Sequence, residues 1–194
     1  MTLTSLQQLM GFLNNHDLRG RIADFGGTEN IGAEIITAML SMSNIELAGD
    51  PNTPLGVKVK GIPKYANVEY LPMDYDNGVD LLKPVRGKKF DGALCMDLLE
   101  HTSNPFLVAK NIKDSLKKGA YLFVTAPFVW ELHSFPNDYW RFTPQGFEVL
   151  FEGMEVEVIY AVADTYEHPD PNPFPPIPPV TLPYTRIIGV FKKR

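Results

Sequence analysis

A nearly all-apolar segment, Phe90–Met96, constrains the fold of this chain more than any other part of its sequence. Strands that are buried on both faces of a parallel sheet have this composition, whereas strands with one wet face alternate apolar and polar residues. Pro105 then opens an amphipathic helix whose apolar face reaches Leu116, and residues 120–126 form a second apolar strand. This strand–helix–strand order requires a right-handed crossover and predicts a parallel sheet covered by helices.

The same alternation extends across most of the 194 residues. Apolar and alternating segments predict further strands at residues 21–24, 45–50, 68–71, 155–160 and 184–191, and helical spacing predicts helices at residues 3–14, 31–42 and 143–153. The last two strands lack a crossover helix between them and should therefore pair antiparallel at one sheet edge. Residues 51–66 show no helical pattern and are predicted to be an irregular loop.

We therefore predict one α/β domain over residues 1–194, with a doubly wound, mostly parallel seven-stranded sheet, an antiparallel last strand and helices on both faces. Residues 1–18 are expected to form a helical cover at the N-terminus. Residues 168–183 contain eight prolines, which suit neither a helix nor the interior of a sheet. This segment is predicted to be an extended connection to the last strand.

Composition and charge argue against several classes of function. Eighteen Lys and Arg residues against twenty-three Asp and Glu residues give a net charge of −5, whereas duplex nucleic acid needs a row of cations. No apolar run approaches the roughly twenty residues that cross a bilayer, and the first residues lack the features of a signal peptide, so we expect a cytoplasmic protein without membrane partners. Cys95 is the only cysteine, so no thiolate cage can form, and no metal site is predicted.

Polar residues follow the predicted strands at the sheet edge where open parallel sheets bind ligands. Gly26 and Gly27 form a tight turn that lets the backbone approach a ligand, and Glu29 behind them disfavours a pyrophosphate. Asp50 and Asp74 end the second and third strands, where carboxylates can accept hydrogen bonds from a ribose and from an adenine amino group. Each feature alone is also typical of an ordinary turn or helix cap. Their order in one sequence favours a ligand site.

The fourth strand continues into Asp97-Leu98-Leu99-Glu100-His101, and the fifth strand ends at Pro127. This block resembles the central block of the class I S-adenosylmethionine-dependent methyltransferases, which have a seven-stranded Rossmann-like fold, and the resemblance covers about residues 20–160. It implies S-adenosylmethionine as the cofactor, with Asp50 at the ribose and Asp74 at the adenine. The resemblance implies a cofactor pocket that also includes Asp24, Gly26 and Asp97. The full set of predicted cofactor-binding residues is Asp24, Gly26, Gly27, Thr28, Asp50, Asp74, Tyr75 and Asp97. Thr28 and Asn30 depart from the alternating glycines of the family's first motif.

Residues 127–143, after the fifth strand, are dense in aromatic and polar side chains. They resemble a segment of bacterial methyltransferases of surface-glycan and small-metabolite pathways, and they suit either an acceptor pocket or an aromatic mini-core beneath a loop. His133 is the first candidate for a catalytic base, oriented by Asp138 or Glu131, and His101 is the second. The predicted substrate-binding residues are Trp130, Asp138, Tyr139, Trp140 and Arg141.

The sequence thus predicts methyl transfer from S-adenosylmethionine to a small-molecule acceptor such as a sugar or metabolite hydroxyl. The expected partner is that small substrate, and a homodimer is left open. Two alternatives also stay open. The degenerate glycine motif and the proline-rich segment favour an inactive methyltransferase-like binding module, and the acidic strand end is shared with nicotinamide-dependent oxidoreductases.

Overall fold

A computed structural model describes residues 3–27, 31–49, 56–63, 68–133, 137–166 and 180–194. Its strands are β1 (Gly20–Phe25), β2 (Met42–Gly49), β3 (Val57–Pro63), β4 (Val68–Met73), β5 (Phe90–Met96), β6 (Leu116–Pro127), β7 (Glu155–Tyr166) and β8 (Val180–Lys192). Its helices are α1 (Leu3–Asn15), α2 (Ile31–Leu40), α3 (Pro105–Ser115) and α4 (Pro144–Leu150), and short 3-10 turns cover Tyr75–Asn77 and Leu99–His101. Among these described residues, no helix is both long and apolar enough to cross a membrane.

Six strands form the main sheet in the order β4-β1-β5-β6-β8-β7. The first four are parallel, and β8 pairs antiparallel with both β6 and β7. The α/β fold class, the mostly parallel sheet and the antiparallel last strand are therefore confirmed. The structure also confirms that the two final strands pair antiparallel at a sheet edge, because β7 is the outermost strand.

The interior of the main sheet is apolar on both faces because helices cover both. Leu122 and Cys95 lie in one core cluster with residues of α3 and α4 such as Ile112 and Phe147. Phe123, the next residue along β6, lies in the second cluster with residues of α1 and α2. Neighbouring residues of one strand thus enter opposite cores, which explains why residues 92–96 of β5 and 120–124 of β6 are apolar instead of alternating.

The sheet has six strands and not seven, because β2 does not join it. β2 pairs antiparallel with β3 in a separate two-stranded sheet. Only Ile45 of β2 is buried, so this strand cannot fill a position that is covered on both faces. In β3, the alternation of valine and lysine over residues 57–60 is typical of a ribbon with one wet face. The prediction of an irregular loop over residues 51–66 is wrong for residues 57–63.

The predicted proline-rich connection over residues 168–183 extends too far toward the C-terminus. β8 begins at Val180, so residues 180–183 belong to the strand, where Leu182 pairs with Asp164 of β7. Residues 167–179 lie outside the described residues. Pro183 is tolerated within β8 because it lies near the start of the strand. The pairing with β6 begins only at Arg186, so among the described strands this part of β8 has one free edge.

Candidate active site

Two adjoining cavities open at the carboxyl ends of the parallel strands. The larger one has a volume of about 410 Å³, and its lining includes Gly26 after β1, Asp74 after β4 and Asp97 after β5. The smaller one has a volume of about 210 Å³, and its lining includes Trp130 and Arg186. Asp97 and His101 line both cavities. Open parallel sheets bind ligands at this edge, and the shared lining places the two cavities side by side.

The turn after β1 holds its backbone close to the larger cavity. Gly26 has φ +84°, a left-handed conformation that glycine adopts without strain. Its N–H donates to the carbonyl of Met73 at 3.0 Å, which ties the turn to β4. A Cβ at Gly26 would lie 3.0 Å from Leu98 Cδ1, so the cavity wall is packed tightly behind the glycine.

Asp24 supports this turn from behind. Its carboxylate is 3% exposed, accepts a hydrogen bond from the Tyr70 hydroxyl at 2.6 Å, and lies so close to Gly27 that a Cβ there would overlap it. Burial raises the pKa of Asp24 to about 6. Asp24 and Gly27 line neither of the two cavities, so both act on the site through the shape of the turn.

Asp74 and Tyr75 stand at the edge of the larger cavity, next to Gly26, because β4 pairs directly with β1. Asp74 caps the turn that follows β4 by accepting a hydrogen bond from the Tyr75 N–H at 2.6 Å. The described lining contains three aspartates, Asp74, Asp80 and Asp97, and neither lysine nor arginine. Such a lining suits hydroxyl groups and positive charge, and it offers a pyrophosphate carboxylates in place of lysine or arginine. The predicted Thr28 and Asp50 lie outside the described residues.

Asp97 forms part of the wall between the two cavities. Its φ of +53° is left-handed, a conformation that aspartate tolerates better than most residues. Its carboxylate accepts a hydrogen bond from the Thr125 hydroxyl at 2.8 Å and forms a buried ion pair with Arg186 of β8. The Arg186 guanidinium also lies 5.7 Å from the centre of the Trp130 ring. Sequence reasoning missed Arg186, although it directly precedes the apolar residues 187–191 of β8.

His101 and His133, the two predicted candidates for a base, come together at the smaller cavity. Their rings meet edge to face with centroids 4.8 Å apart. His133 Nδ1 lies 3.1 Å from Asp138 Oδ2, and the backbone N–H of His133 donates to the same oxygen at 2.9 Å. Of the two orienting partners proposed from the sequence, Asp138 makes the side-chain contact, whereas Glu131 offers its backbone carbonyl at 3.3 Å.

The remaining predicted substrate residues divide between the cavities and the loop that encloses them. Trp130 lines the smaller cavity and Tyr139 the larger one. Arg141 forms a two-point ion pair with Asp138, which holds the pKa of that carboxyl well below its usual range. Trp140 donates its indole N–H to the Thr102 carbonyl at 2.8 Å. Asp138, Trp140 and Arg141 line neither cavity, and their bonds shape the loop.

Glu100 is a buried carboxyl group at the floor of the smaller cavity. It is 1% exposed, and burial, reinforced by the nearby charge of Asp97, raises its pKa to about 8. Its Oε1 lies 3.7 Å from His101 Nε2, and its Oε2 has no hydrogen-bond partner among the described residues. The sequence placed Glu100 at the rim of the site without giving it a role.

No family model matches the sequence, and no curated protein is significantly similar to it. Solved structures do resemble it. A chain of the Haloferax volcanii complex between the Trm112 methyltransferase activator and a proposed methyltransferase aligns with 97% of this chain and 88% of its own, at 14% identity and a TM-score of 0.58. A proposed methyltransferase of Bacillus halodurans aligns over 98% and 99%, at 14% identity and a TM-score of 0.55.

A third similar structure was solved with a bound ligand. The N-methyltransferase NodS of Bradyrhizobium japonicum, in complex with S-adenosyl-L-homocysteine, aligns with 98% of this chain and 86% of its own, at 10% identity and a TM-score of 0.54. At identities this low, the alignments show a shared fold, and they extend over nearly the whole chain.

Proposed function

We propose that this chain, which has the fold of the class I S-adenosylmethionine-dependent methyltransferases, binds S-adenosylmethionine in the larger cavity and transfers its methyl group to a small acceptor in the smaller one. Direct transfer requires that the donor and the acceptor meet in line at about 3 Å. The observation that carries the proposal is the pair of cavities that share Asp97 and His101 as a common wall.

The larger cavity supports the cofactor part of the proposal in size and in chemistry. Its volume of about 410 Å³ lies within the roughly 300–1,000 Å³ of small-molecule sites. Leu81, Leu82 and Leu98 give it apolar walls that suit an adenine ring, and its acidic lining suits a ribose and a sulfonium. The resemblance gave the ribose to Asp50 and the adenine to Asp74. Because β4, and not β2, lies directly beside β1, we instead assign the ribose hydroxyls to Asp74. The same lining disfavours a nicotinamide dinucleotide, whose pyrophosphate would face carboxylates.

The chain's own contribution to methyl transfer is orientation and the removal of one proton. S-adenosylmethionine, when bound, supplies a methyl group on a positively charged sulfur. Trp130 provides an apolar wall beside which the acceptor is held. His133 Nδ1 is hydrogen-bonded to the Glu131 carbonyl and lies 3.1 Å from Asp138 Oδ2. Both oxygens can only accept, so Nδ1 carries the hydrogen, and the other ring nitrogen has a lone pair that can accept the proton of an acceptor hydroxyl. Asp138 then stabilises the resulting imidazolium.

Calorimetry with S-adenosylmethionine and with its demethylated product tests the cofactor site. We expect one molecule to bind per chain, and Asp74→Asn should weaken binding by roughly 10- to 100-fold, because a hydrogen bond to a charged group contributes about 1.5–3 kcal/mol. Asparagine can still cap the turn after β4. The matched control is Asp76→Asn, since Asp76 is exposed on the same turn and lines neither cavity.

Turnover is tested separately with a panel of small hydroxyl compounds and a labelled methyl donor. We expect His133→Ala to reduce turnover by roughly 10²- to 10⁴-fold while affinity for S-adenosylmethionine is unchanged. Absence of cofactor binding in the unmodified chain would refute the proposal. Tight binding without transfer to any compound of the panel would instead favour the binding-module alternative.

A further inference from the structure

Three side chains with metal-ligating atoms converge at the smaller cavity. One ligand atom from each of Glu100, His101 and His133 lies within 4.8 Å of the other two. Both histidine side chains are partly buried, and the carboxyl group is buried. Two imidazoles and one carboxylate form the protein ligand set of several catalytic zinc sites, which leave a further position open for water or substrate.

In each histidine, Nδ1 already faces an acceptor oxygen, which leaves Nε2 for a metal ion. His101 Nδ1 contacts the backbone carbonyl of Asn137, and a carbonyl oxygen can only accept, so this nitrogen carries the hydrogen. His133 Nδ1 faces the Asp138 carboxylate at 3.1 Å. Metal-bound histidines almost always donate their other N–H to a carbonyl or carboxylate, which fixes the tautomer and the ring orientation. In both rings, Nε2 therefore has the free lone pair.

Glu100 supplies an independent observation. Its side chain is 1% exposed, and its Oε2 has no hydrogen-bond partner in the described part of the chain. Leaving a buried carboxylate oxygen unpaired costs free energy, so the position calls for a positively charged or hydrogen-bonding ligand. Arg186, the described cation that lines the same cavity, pairs with Asp97 and leaves this oxygen of Glu100 without a partner.

We propose that Glu100, His101 and His133 form a binding site for a divalent transition-metal ion in the smaller cavity. Two nitrogen ligands favour Zn²⁺, Fe²⁺ or Ni²⁺ over Mg²⁺ and Ca²⁺, which prefer oxygen. Because the chain supplies three ligands here, a further coordination position of the ion would be open to the acceptor oxygen.

The catalytic role of such an ion rests on the proposed methyl transfer. The lone pair of His133 cannot bind the ion and accept a proton at the same time. With the ion bound, His133 would therefore not act as the base, and the ion would instead activate the acceptor hydroxyl by lowering the pKa of that hydroxyl. The hydroxyl proton would leave to solvent, and the acceptor oxygen would then displace the sulfur from the methyl carbon.

The binding of Zn²⁺ alone tests the site without cofactor or turnover. Tag-free protein is titrated with zinc chloride in a calorimeter, and we expect one equivalent to bind per chain with little heat from magnesium chloride at the same concentrations. His133→Ala and Glu100→Gln should each weaken zinc affinity by at least about tenfold. His16→Gln is the matched control, because His16 lies at a distant ion pair with Glu157 and its substitution should leave zinc affinity unchanged.

X-ray absorption of the zinc-loaded protein should show two imidazole ligands at about 2.0–2.1 Å. The proposal is overturned if the unmodified chain binds no zinc saturably, or if both site variants retain its affinity. His133 is partly exposed, so its alanine variant is expected to fold even where a Glu100 variant does not, as circular dichroism would show. A titration with S-adenosylmethionine on the same preparation separates the outcomes, because intact cofactor binding without zinc binding refutes only the metal site.

Discussion

Replacing Asp24 by asparagine should favour the folded chain more at neutral pH than in acid. Asp24 is 3% exposed beneath the turn after β1, and burial raises its pKa from 3.8 to about 6. Below about pH 4 the carboxyl group is protonated in the folded and the unfolded chain, so folding carries no cost of ionisation. Between pH 4 and pH 6 the unfolded chain loses the proton first. Above pH 6 the folded chain holds a buried charge, and the full cost is present.

The size of this cost follows from the change in proton affinity. Each tenfold change corresponds to about 1.4 kcal/mol, so a rise of the pKa from 3.8 to about 6 amounts to roughly 3 kcal/mol of unfolding free energy at pH 8. Asparagine is neutral at every pH and keeps an oxygen that can accept from the Tyr70 hydroxyl. Any constant cost of its new amide group cancels when two pH values are compared, so the pH-dependent part is what the substitution isolates.

The assay is urea unfolding of the original chain and the Asp24→Asn variant at several pH values between 4 and 8. Asp114→Asn is the control, because Asp114 is exposed, pairs with Lys110 on α3 and has a lowered pKa through that hydrogen bond. Its substitution should change stability little and in the opposite direction, with the loss appearing at neutral pH. A difference between the Asp24→Asn variant and the original chain that stays constant with pH, or that favours the original chain more at pH 8 than at pH 4, would contradict the reasoning.

Two further substitutions test the packing and the ion pair of β8. Gly189→Ala should destabilise the chain by roughly 1–3 kcal/mol in urea unfolding, because a Cβ there would lie 2.6 Å from Phe191 Cε2 and 3.0 Å from Phe147 Cδ2; an unchanged midpoint would mean that these rings are loosely packed. Arg186→Met should cost roughly 3–5 kcal/mol, since it leaves the Asp97 carboxylate buried without its cation. If Arg186→Met matches the original chain in thermal unfolding, the ion pair contributes no net stability.

The sequence predicted best those elements whose residues are buried on both sides. Phe90–Met96 forms a strand with the predicted bounds. The helix after it begins at Pro105 because Asn104 caps it, accepting from the Leu107 N–H at 3.0 Å. The sequence failed for β2 and β3, where partial burial gives a short apolar pattern that suits a parallel sheet and a separate ribbon equally well.

For the candidate site too, the sequence predicted some residues and not others. Residues close in sequence to the strand ends, such as Asp97 and His101, were found because parallel strands present their carboxyl ends at one edge. Arg186 was missed because its position beside Asp97 depends on the antiparallel register of β8 with β6, in which Pro127 pairs with Arg186. Residue patterns report which face of a strand is buried, but register is fixed by packing across the whole sheet.

The position of β8 between β6 and the edge strand β7 also has a consequence for the order of folding. Tyr121 of β6 pairs with Lys192 of β8, 71 positions further along the chain, and β7 reaches the sheet only through β8. Contacts between residues so far apart close large loops and form slowly. Until that closure the hydrogen-bonding edge of β6 is an open template for other chains. During refolding at high protein concentration, the pairing of β8 with β6 should therefore compete with aggregation at the exposed edge of β6.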